Sequence, residues 1–70
     1  MAGKKVSPAV VRTLDILEAI SGRHGGVTNA FLSRRLGIPK SSASSILRIL
    51  QGRGYLSRYS DTGRYKLGPN

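Results

Sequence analysis

FLSRRLGIPKSSASSILRILQGRGYL, residues 31–56, decides the fold of this chain. The stretch predicts two helices joined by a tight turn. In the second helix the apolar residues recur at the three-to-four spacing of one helical face: Ala43, Ile46, Leu47 and Leu50. The opposite face carries small hydroxyls and cations and no acid: Lys40, Ser41, Ser44, Ser45 and Arg48. A helix in a DNA major groove needs short side chains near the base edges and long cations at its margins, so the pattern favours DNA recognition.

The turn between the two helices is specified by three consecutive residues. Gly37 is expected in the left-handed conformation that ends a helix, and Ile38 must be extended because a proline follows it. We therefore predict one helix from Asn29 to Leu36, burying Leu32, Ser33 and Leu36. The second should run from Pro39 to about Arg53, or residues 39–53.

The segment before residue 29 predicts one more helix, from Pro8 to Ser21, with the Ser7 side chain accepting a free amide and proline at the first helical position. Its apolar side is expected to comprise Val10, Leu14, Leu17 and Ile20, widened by Val11 and Ile16. Residues 1–7 read as a flexible basic arm. GRHGG, residues 22–26, predicts a loop, followed by a short extended segment at Val27 and Thr28, with Thr28 or Asn29 capping the next helix.

The segment after residue 54 predicts a β-hairpin. Two β-prone runs, residues 55–59 and 64–67, are separated by a connection of hairpin length and composition. Leu56, Tyr65 and Leu67 are expected to face the helices, whereas three cations form an outer rim: Arg58, Arg64 and Lys66. The predicted fold class is mainly α with a small β-hairpin: a winged helix-turn-helix with a three-helix core and a wing at residues 55–67.

Charge and composition narrow the classes of function. Twelve Lys and Arg against three Asp and Glu give a formal charge of +9 on 70 residues, which indicates a polyanionic partner.

No cysteine is present, which excludes a disulfide framework and zinc-finger architecture. A serine nucleophile would need a nearby base, but His24, the single histidine, lies in a remote glycine loop. We therefore predict no enzymatic activity, no cofactor and no metal site. No membrane span or signal peptide is evident, and we expect a cytoplasmic protein.

Four segments carry a family resemblance: SPAVVRTLDILEAI, LSRRLGIPKSSASSILRIL, RGYL and TGRYKLG. Together they resemble the amino-terminal DNA-binding domain of IclR-type bacterial transcription regulators, from about Ser7 to Gly68. The resemblance implies a winged helix, residues 8–68, that binds double-stranded operator DNA, with a homodimer formed by the full-length protein, suggested to pair through helix one. It also implies a linker beginning at residues 69–70 and an absent carboxy-terminal domain that binds a small-molecule effector.

Contacts follow as hypotheses from the resemblance and the charge pattern. Four residues of the recognition helix are assigned to base edges: Ser41, Ser44, Ser45 and Arg48. Arg48 is the candidate for a bidentate contact to guanine. Seven residues are assigned to phosphates: Arg34, Arg35, Lys40, Ser42, Arg58, Arg64 and Lys66.

Some positions depart from the family pattern. Ser33 stands where the family prefers alanine, and Ser44 and Ser45 stand where bulkier polar or cationic residues are common. Phe31 replaces a usual acidic residue, which removes a capping-box partner and places an aromatic ring on an expected exposed face, either as a protein contact or in ordinary partial burial. A protein-interaction module and an RNA-binding module remain as alternatives. The first would favour an apolar or acidic helix face, and the second would use exposed aromatics such as Tyr55 or Tyr59.

Overall fold

The computed structural model describes residues 7–69, which form three helices and a two-stranded hairpin. The helices are α1 (Pro8–Ser21), α2 (Asn29–Leu36) and α3 (Lys40–Gly52), and the strands are β1 (Leu56–Arg58) and β2 (Tyr65–Leu67). The predicted fold class, a three-helix core with a wing, is confirmed. Most of the predicted basic arm and the predicted linker residue Asn70 lie outside the described residues.

The start of α1 agrees with the prediction in position but differs in chemistry. Pro8 stands at the first helical position, and the Ser7 carbonyl accepts the first helical hydrogen bond from the Val11 amide at 3.1 Å. The Ser7 side chain, however, makes no capping hydrogen bond, so the expectation that it accepts a free amide is wrong. Proline itself has no amide to donate, which leaves one fewer free donor at this end of the helix.

The tight turn between α2 and α3 forms as expected and is fastened at Ser33. Gly37 has φ +68° and ψ 34°, the left-handed conformation. The amides of Gly37 and Ile38 both reach the Ser33 carbonyl, and the Ser33 hydroxyl donates to the Ile38 carbonyl at 2.6 Å. Pro39, predicted as the first residue of α3, is instead its N-cap with ψ 147°, and Arg53 is its C-cap, so the helix is one residue shorter at each end.

The core lies between the three helices and the hairpin. Its buried side chains are Ile16, Ile20, Val27, Leu32, Ile38, Ala43, Leu47, Leu50 and Leu56. The predicted inner face of α3 is therefore correct, with Ile46 packed at its edge, and in α2 Ser33 and Leu36 are half-buried beside Leu32. Ile49 is exposed.

The predicted inner face of α1 is partly wrong. Val10 and Leu14 remain 55% and 52% exposed, and Val11 is also exposed, whereas Ile16 and Ile20 enter the core and Leu17 packs at its edge. Because each residue turns a helix by about 100°, Leu14 and Ile16 point about 200° apart and cannot share one face. The side of α1 that carries Ile16 and Ile20 is the one that meets the core, so a second apolar stripe is left uncovered.

The hairpin is antiparallel, with Leu56 opposite Leu67 and Arg58 opposite Tyr65. The predicted extended segment before α2 adds to it, because Val27 and Tyr65 exchange two backbone hydrogen bonds of 2.9 and 2.7 Å. Leu56 is buried and Tyr65 packs against the core as expected. Leu67, also expected to face the helices, is 48% exposed, since it lies at the end of β2 beside the uncovered side of α1.

Candidate nucleic-acid interface

The outer face of α3 is backed by the core and open to solvent. Ser41, Ser45 and Arg48 are exposed and lie at i, i+4 and i+7, which places them in one row. Lys40 is exposed at the start of the helix. The opposite side of α3 holds fully buried Ala43 and Leu47, so this row can point only outward. It presents two hydroxyls and a guanidinium, groups that can bond to base edges without crowding them.

Ser44 differs from its predicted place on the open face. It is half-buried, and its Oγ accepts a hydrogen bond from the Nδ2 of Asn29 at the start of α2. The Oδ1 of Asn29 is itself buried and has no hydrogen-bond partner among the described residues. The bond links the two helices of the helix-turn-helix, so Ser44 has a role in the fold besides its predicted role at base edges. Ser42, assigned to a phosphate, is also half-buried.

The three predicted wing cations are all exposed, and two are held over tyrosine rings. The Cζ of Arg58 lies 4.8 Å from the ring centre of Tyr65, and its Nε donates to the Gly63 carbonyl at 3.1 Å. The Nζ of Lys66 lies 4.5 Å from the ring centre of Tyr59. Cation–π contacts of this kind restrict long side chains while leaving the charge in place. The wing therefore offers cations from a stiffened hairpin.

Arg34 and Arg35 are exposed in the last turn of α2. In this position they lie near the negative end of the helix dipole, which favours cations whether or not DNA is bound. Arg35 also lines a shallow groove of about 180 Å³ with Glu18 and Phe31. The presence of Arg34 and Arg35 at this place can therefore be explained by helix stability alone, without the predicted phosphate contacts.

Sequence reasoning missed two contacts near the candidate interface, one made by Asn29 and one by Arg23. Arg23, in the loop after α1, stacks on Phe31, with its Cζ 4.5 Å from the ring centre. Phe31 is half-buried and packs against the core, so ordinary partial burial describes it better than the exposed aromatic that its position suggested. The one available signal was the departure at residue 31, where an aromatic replaces an acid. The contact to Asn29 had no signal in the sequence, since it joins residues 15 positions apart.

Other kinds of site find no support in the described part of the chain. Residues 7–69 contain no group of three or more His, Cys, Asp or Glu side chains that could hold a metal. Within the same residues, every helix is too short or too polar to span a bilayer.

Comparison with known proteins identifies the type of domain. The IclR helix-turn-helix domain family matches residues 9–59, which is most of the chain. The chain belongs to this family. A winged helix of the IclR type is a DNA-binding domain of transcription regulators, and the open hydroxyl and cation face of α3 is consistent with that role.

Individual relatives agree with this assignment. The HTH-type transcriptional regulator Rv1719 of Mycobacterium tuberculosis is 30% identical over 60 residues, which are 86% of this chain and 23% of that protein. The repressor BlcR of Agobacterium tumefaciens is 36% identical with a TM-score of 0.78, covering 91% of this chain and 25% of BlcR. An IclR-type regulator of Alicyclobacillus acidocaldarius is 28% identical with a TM-score of 0.80, covering 93% of this chain and 26% of that one. This IclR domain thus spans about a quarter of the length of these relatives.

Proposed function

We propose that this IclR domain reads operator DNA with α3 in the major groove and the wing, residues 55–67, against the backbone or minor groove. The observation that carries the proposal is the exposed row of Ser41, Ser45 and Arg48 on a helix whose other side is fully committed to the core. The row contains neither apolar nor acidic side chains, and Ile49, an exposed apolar residue of α3, lies beside it at i+4 from Ser45. One apolar side chain next to hydroxyls and a cation disfavours a protein-interaction module. The exposed fraction of Tyr55 is 46%, but one exposed ring offers little for stacking RNA bases.

The residues divide between two tasks. Ser41, Ser45 and Arg48 meet base edges, with Arg48 as the guanine contact, and Ser44 contributes from the edge of this surface through its hydroxyl. The phosphate contacts fix the position of the domain along the DNA. They come from α2, from the first turn of α3 and from the wing: Arg34, Arg35, Lys40, Ser42, Arg58, Arg64 and Lys66. All of these residues are proposed to bind DNA, and we propose no catalytic step and no cofactor.

The uncovered stripe of α1 supports a homodimer. Val10, Val11 and Leu14 are exposed in sequence along the helix. Beside them lies a largely apolar groove of about 350 Å³, lined in part by Leu17, Tyr55 and Leu67. An apolar surface of this kind on a small basic domain marks a protein contact. We propose that a second copy pairs through this face; to bind one side of the DNA, the two recognition helices must then lie about 34–36 Å apart, the spacing of successive major grooves.

The whole regulator is proposed to be a cytoplasmic protein that acts on the nucleoid. Since the relatives are about four times as long as this chain, we propose that an effector-binding domain follows residues 69–70 through a linker. A small-molecule effector would bind that domain rather than the one described, and would act on DNA binding through the dimer.

The test is selection of random duplex DNA by the domain at two salt concentrations, followed by competition with duplex RNA of equal length. We expect a palindromic motif that is recovered at both salts and that RNA does not compete away. Strong binding at low salt without any motif would contradict sequence-specific reading, since it would mean that the domain binds DNA only through charge attraction to the phosphates. Equal competition by RNA would contradict the preference for DNA.

A further inference from the structure

We propose that Arg23 and Arg64 together hold one DNA phosphate in a cleft between the start of α2 and the wing. Arg23 is absent from the predicted set of contacts, and Arg64 was assigned to a phosphate on its own. The inference rests on the proposed function, since it presumes that α3 and the wing meet the same duplex, and it adds a defined anion site to that surface.

The cleft has a volume of about 100 Å³, which suits a single phosphate group. It is lined by Arg23, Gly26, Val27, Thr28, Phe31 and Arg64, none of which is acidic. Both arginine side chains are exposed and form walls of the same cleft. A phosphate placed in this cleft could accept hydrogen bonds from both guanidinium groups, since both side chains line the same small space.

The floor of the cleft is rigid because the loop before α2 is attached to the wing. Val27 and Tyr65 share two backbone hydrogen bonds, and the Tyr59 hydroxyl donates to the His24 carbonyl at 3.5 Å. Gly26 approaches the wing so closely that an added Cβ would lie 3.0 Å from the Cβ of Arg64. The backbone positions from which the two arginines extend are therefore fixed relative to one another.

Arg23 is held ready for an anion by Phe31. Its guanidinium lies over the ring at 4.5 Å, a contact that orients the group while leaving the donors at its edges available. Within residues 7–69 the Arg23 side chain contacts the Phe31 ring, and no ion pair neutralises the charge of Arg23. Glu18 lines the neighbouring groove, which shares Arg23 and Phe31 with the cleft, but Glu18 does not line the cleft itself. An acidic residue in place of Phe31 would pair with Arg23 and cancel its charge.

The position of the cleft fits a passing DNA backbone. Thr28 in its wall precedes Asn29, whose side chain bonds to Ser44 on the recognition helix. The opposite wall is Arg64 of the wing. The cleft thus lies between the two elements proposed to touch DNA. A duplex that contacts both must carry its backbone across the space between them.

The experiment measures how the affinity for the selected duplex depends on salt, using Arg23→Gln, Arg64→Gln, the double variant and Arg12→Gln as a control of equal charge loss on α1. Arg23→Gln should weaken selected and scrambled duplexes by the same factor and lower the slope of log affinity against log salt by about 1, as for a lost phosphate contact. Arg12→Gln should leave the slope unchanged. In the double variant the loss in log affinity should be smaller than the sum of the single losses, because both arginines serve one phosphate.

A second pair of variants tests whether the charge of Arg23 must stay unpaired by a carboxylate at residue 31. Phe31→Glu should reproduce the effect of Arg23→Gln, since the new carboxylate pairs with Arg23, while circular dichroism reports whether the fold is retained. Phe31→Leu keeps an apolar side chain and the free charge, and should retain the wild-type salt slope.

The outcomes separate the two proposals. If the wild-type domain fails to bind duplex DNA, the proposed function itself fails. If the wild type binds and Arg23→Gln matches Arg12→Gln in affinity and slope, the phosphate site is refuted while DNA binding stands. Additive losses in the double variant would place the arginines on separate phosphates and overturn the shared site.

Discussion

Replacing Gly26 with alanine should destabilise this domain more than the same change at Gly37, a loop glycine that also has a positive φ but has open space around it. Gly26 is buried and has φ +85°. A Cβ at this residue would lie 2.9 Å from the Tyr65 carbonyl oxygen, 3.0 Å from the Cβ of Arg64 and 3.0 Å from the Cε2 of Tyr59. The first of these atoms belongs to the backbone and forms the hydrogen bond to Val27, so it cannot move without breaking the bridge.

The cost has two parts. A left-handed backbone costs an alanine about 1–2 kcal/mol. Forcing a methyl group into a close-packed contact adds about 1–3 kcal/mol, because the wing must shift away from the loop. A chain of this length is stable by roughly 3.5–10 kcal/mol at about 0.05–0.15 kcal/mol per residue. A total loss of about 2–5 kcal/mol would therefore remove a large share of the folding free energy.

Two other glycines serve as matched controls. Gly37 has φ +68° but nothing within 4 Å of an added Cβ, so Gly37→Ala should cost only the conformational part, about 1–2 kcal/mol. Gly52, in the last turn of α3, has open space and no positive φ, and Gly52→Ala should stabilise the domain by about 0.4–1 kcal/mol. Urea unfolding followed by far-ultraviolet circular dichroism measures all three. A cost at Gly26 no greater than that at Gly37 would refute the close packing of loop and wing.

Three further substitutions test the core, the base contact and the dimer. Leu47→Ala should cost about 2–5 kcal/mol in the same urea assay because its side chain is fully buried, and a loss below about 1 kcal/mol would contradict its central place in the core. Arg48→Ala should cost about 1–3 kcal/mol on the selected duplex and much less on a scrambled one, measured by fluorescence anisotropy; equal losses would remove Arg48 from the base contacts. Leu14→Asp, at an exposed site, should leave binding to a single half-site intact and abolish cooperative binding to the palindrome; unchanged cooperativity would exclude the α1 face as the dimer contact.

Local chemistry allowed the boundaries of α1 and α2 to be predicted from the sequence, and those of α3 to within one residue. Pro8 and Gly22 delimit α1, and its predicted range, Pro8 to Ser21, is the observed one. The left-handed Gly37 also followed from residue type, which limited the cap of α2 to Thr28 or Asn29; the cap is Thr28, whose Oγ1 accepts the Phe31 amide at 3.0 Å. These features depend on neighbours within a few positions, which a sequence pattern records directly.

The spacing of apolar residues was a less reliable guide to which side of a helix is buried in the core. In α3 the stripe and the core coincide, because one face is apolar and the other is hydroxyl and cation. In α1 both Leu14 and Ile16 are apolar although they point in nearly opposite directions, and only Ile16 is buried. A hydrophobic side chain gives the same signal whether it faces a core or another chain. Which stripe belongs to the core is decided by the packing of α2 and β2 against α1.

The candidate site divides in the same way. The row of Ser41, Ser45 and Arg48 could be predicted because it is the complement of a helical core face. The pairing of Asn29 with Ser44 and the joint cleft of Arg23 and Arg64 could not, since each brings together residues from separate elements. No spacing rule connects a loop cation at residue 23 to a wing cation at residue 64.

The arrangement of α2 explains how a small domain can hold the two elements proposed to contact DNA in a fixed relation. Its start is bonded to α3 through Asn29, and Val27, two residues earlier, joins the wing through Tyr65. Its end is tied to the turn before α3 through Ser33. Because these links flank a single helix of eight residues, motion of the wing relative to α3 requires breaking hydrogen bonds at one end of α2. A surface held in this way loses little conformational entropy when it meets DNA, which favours affinity from few contacts.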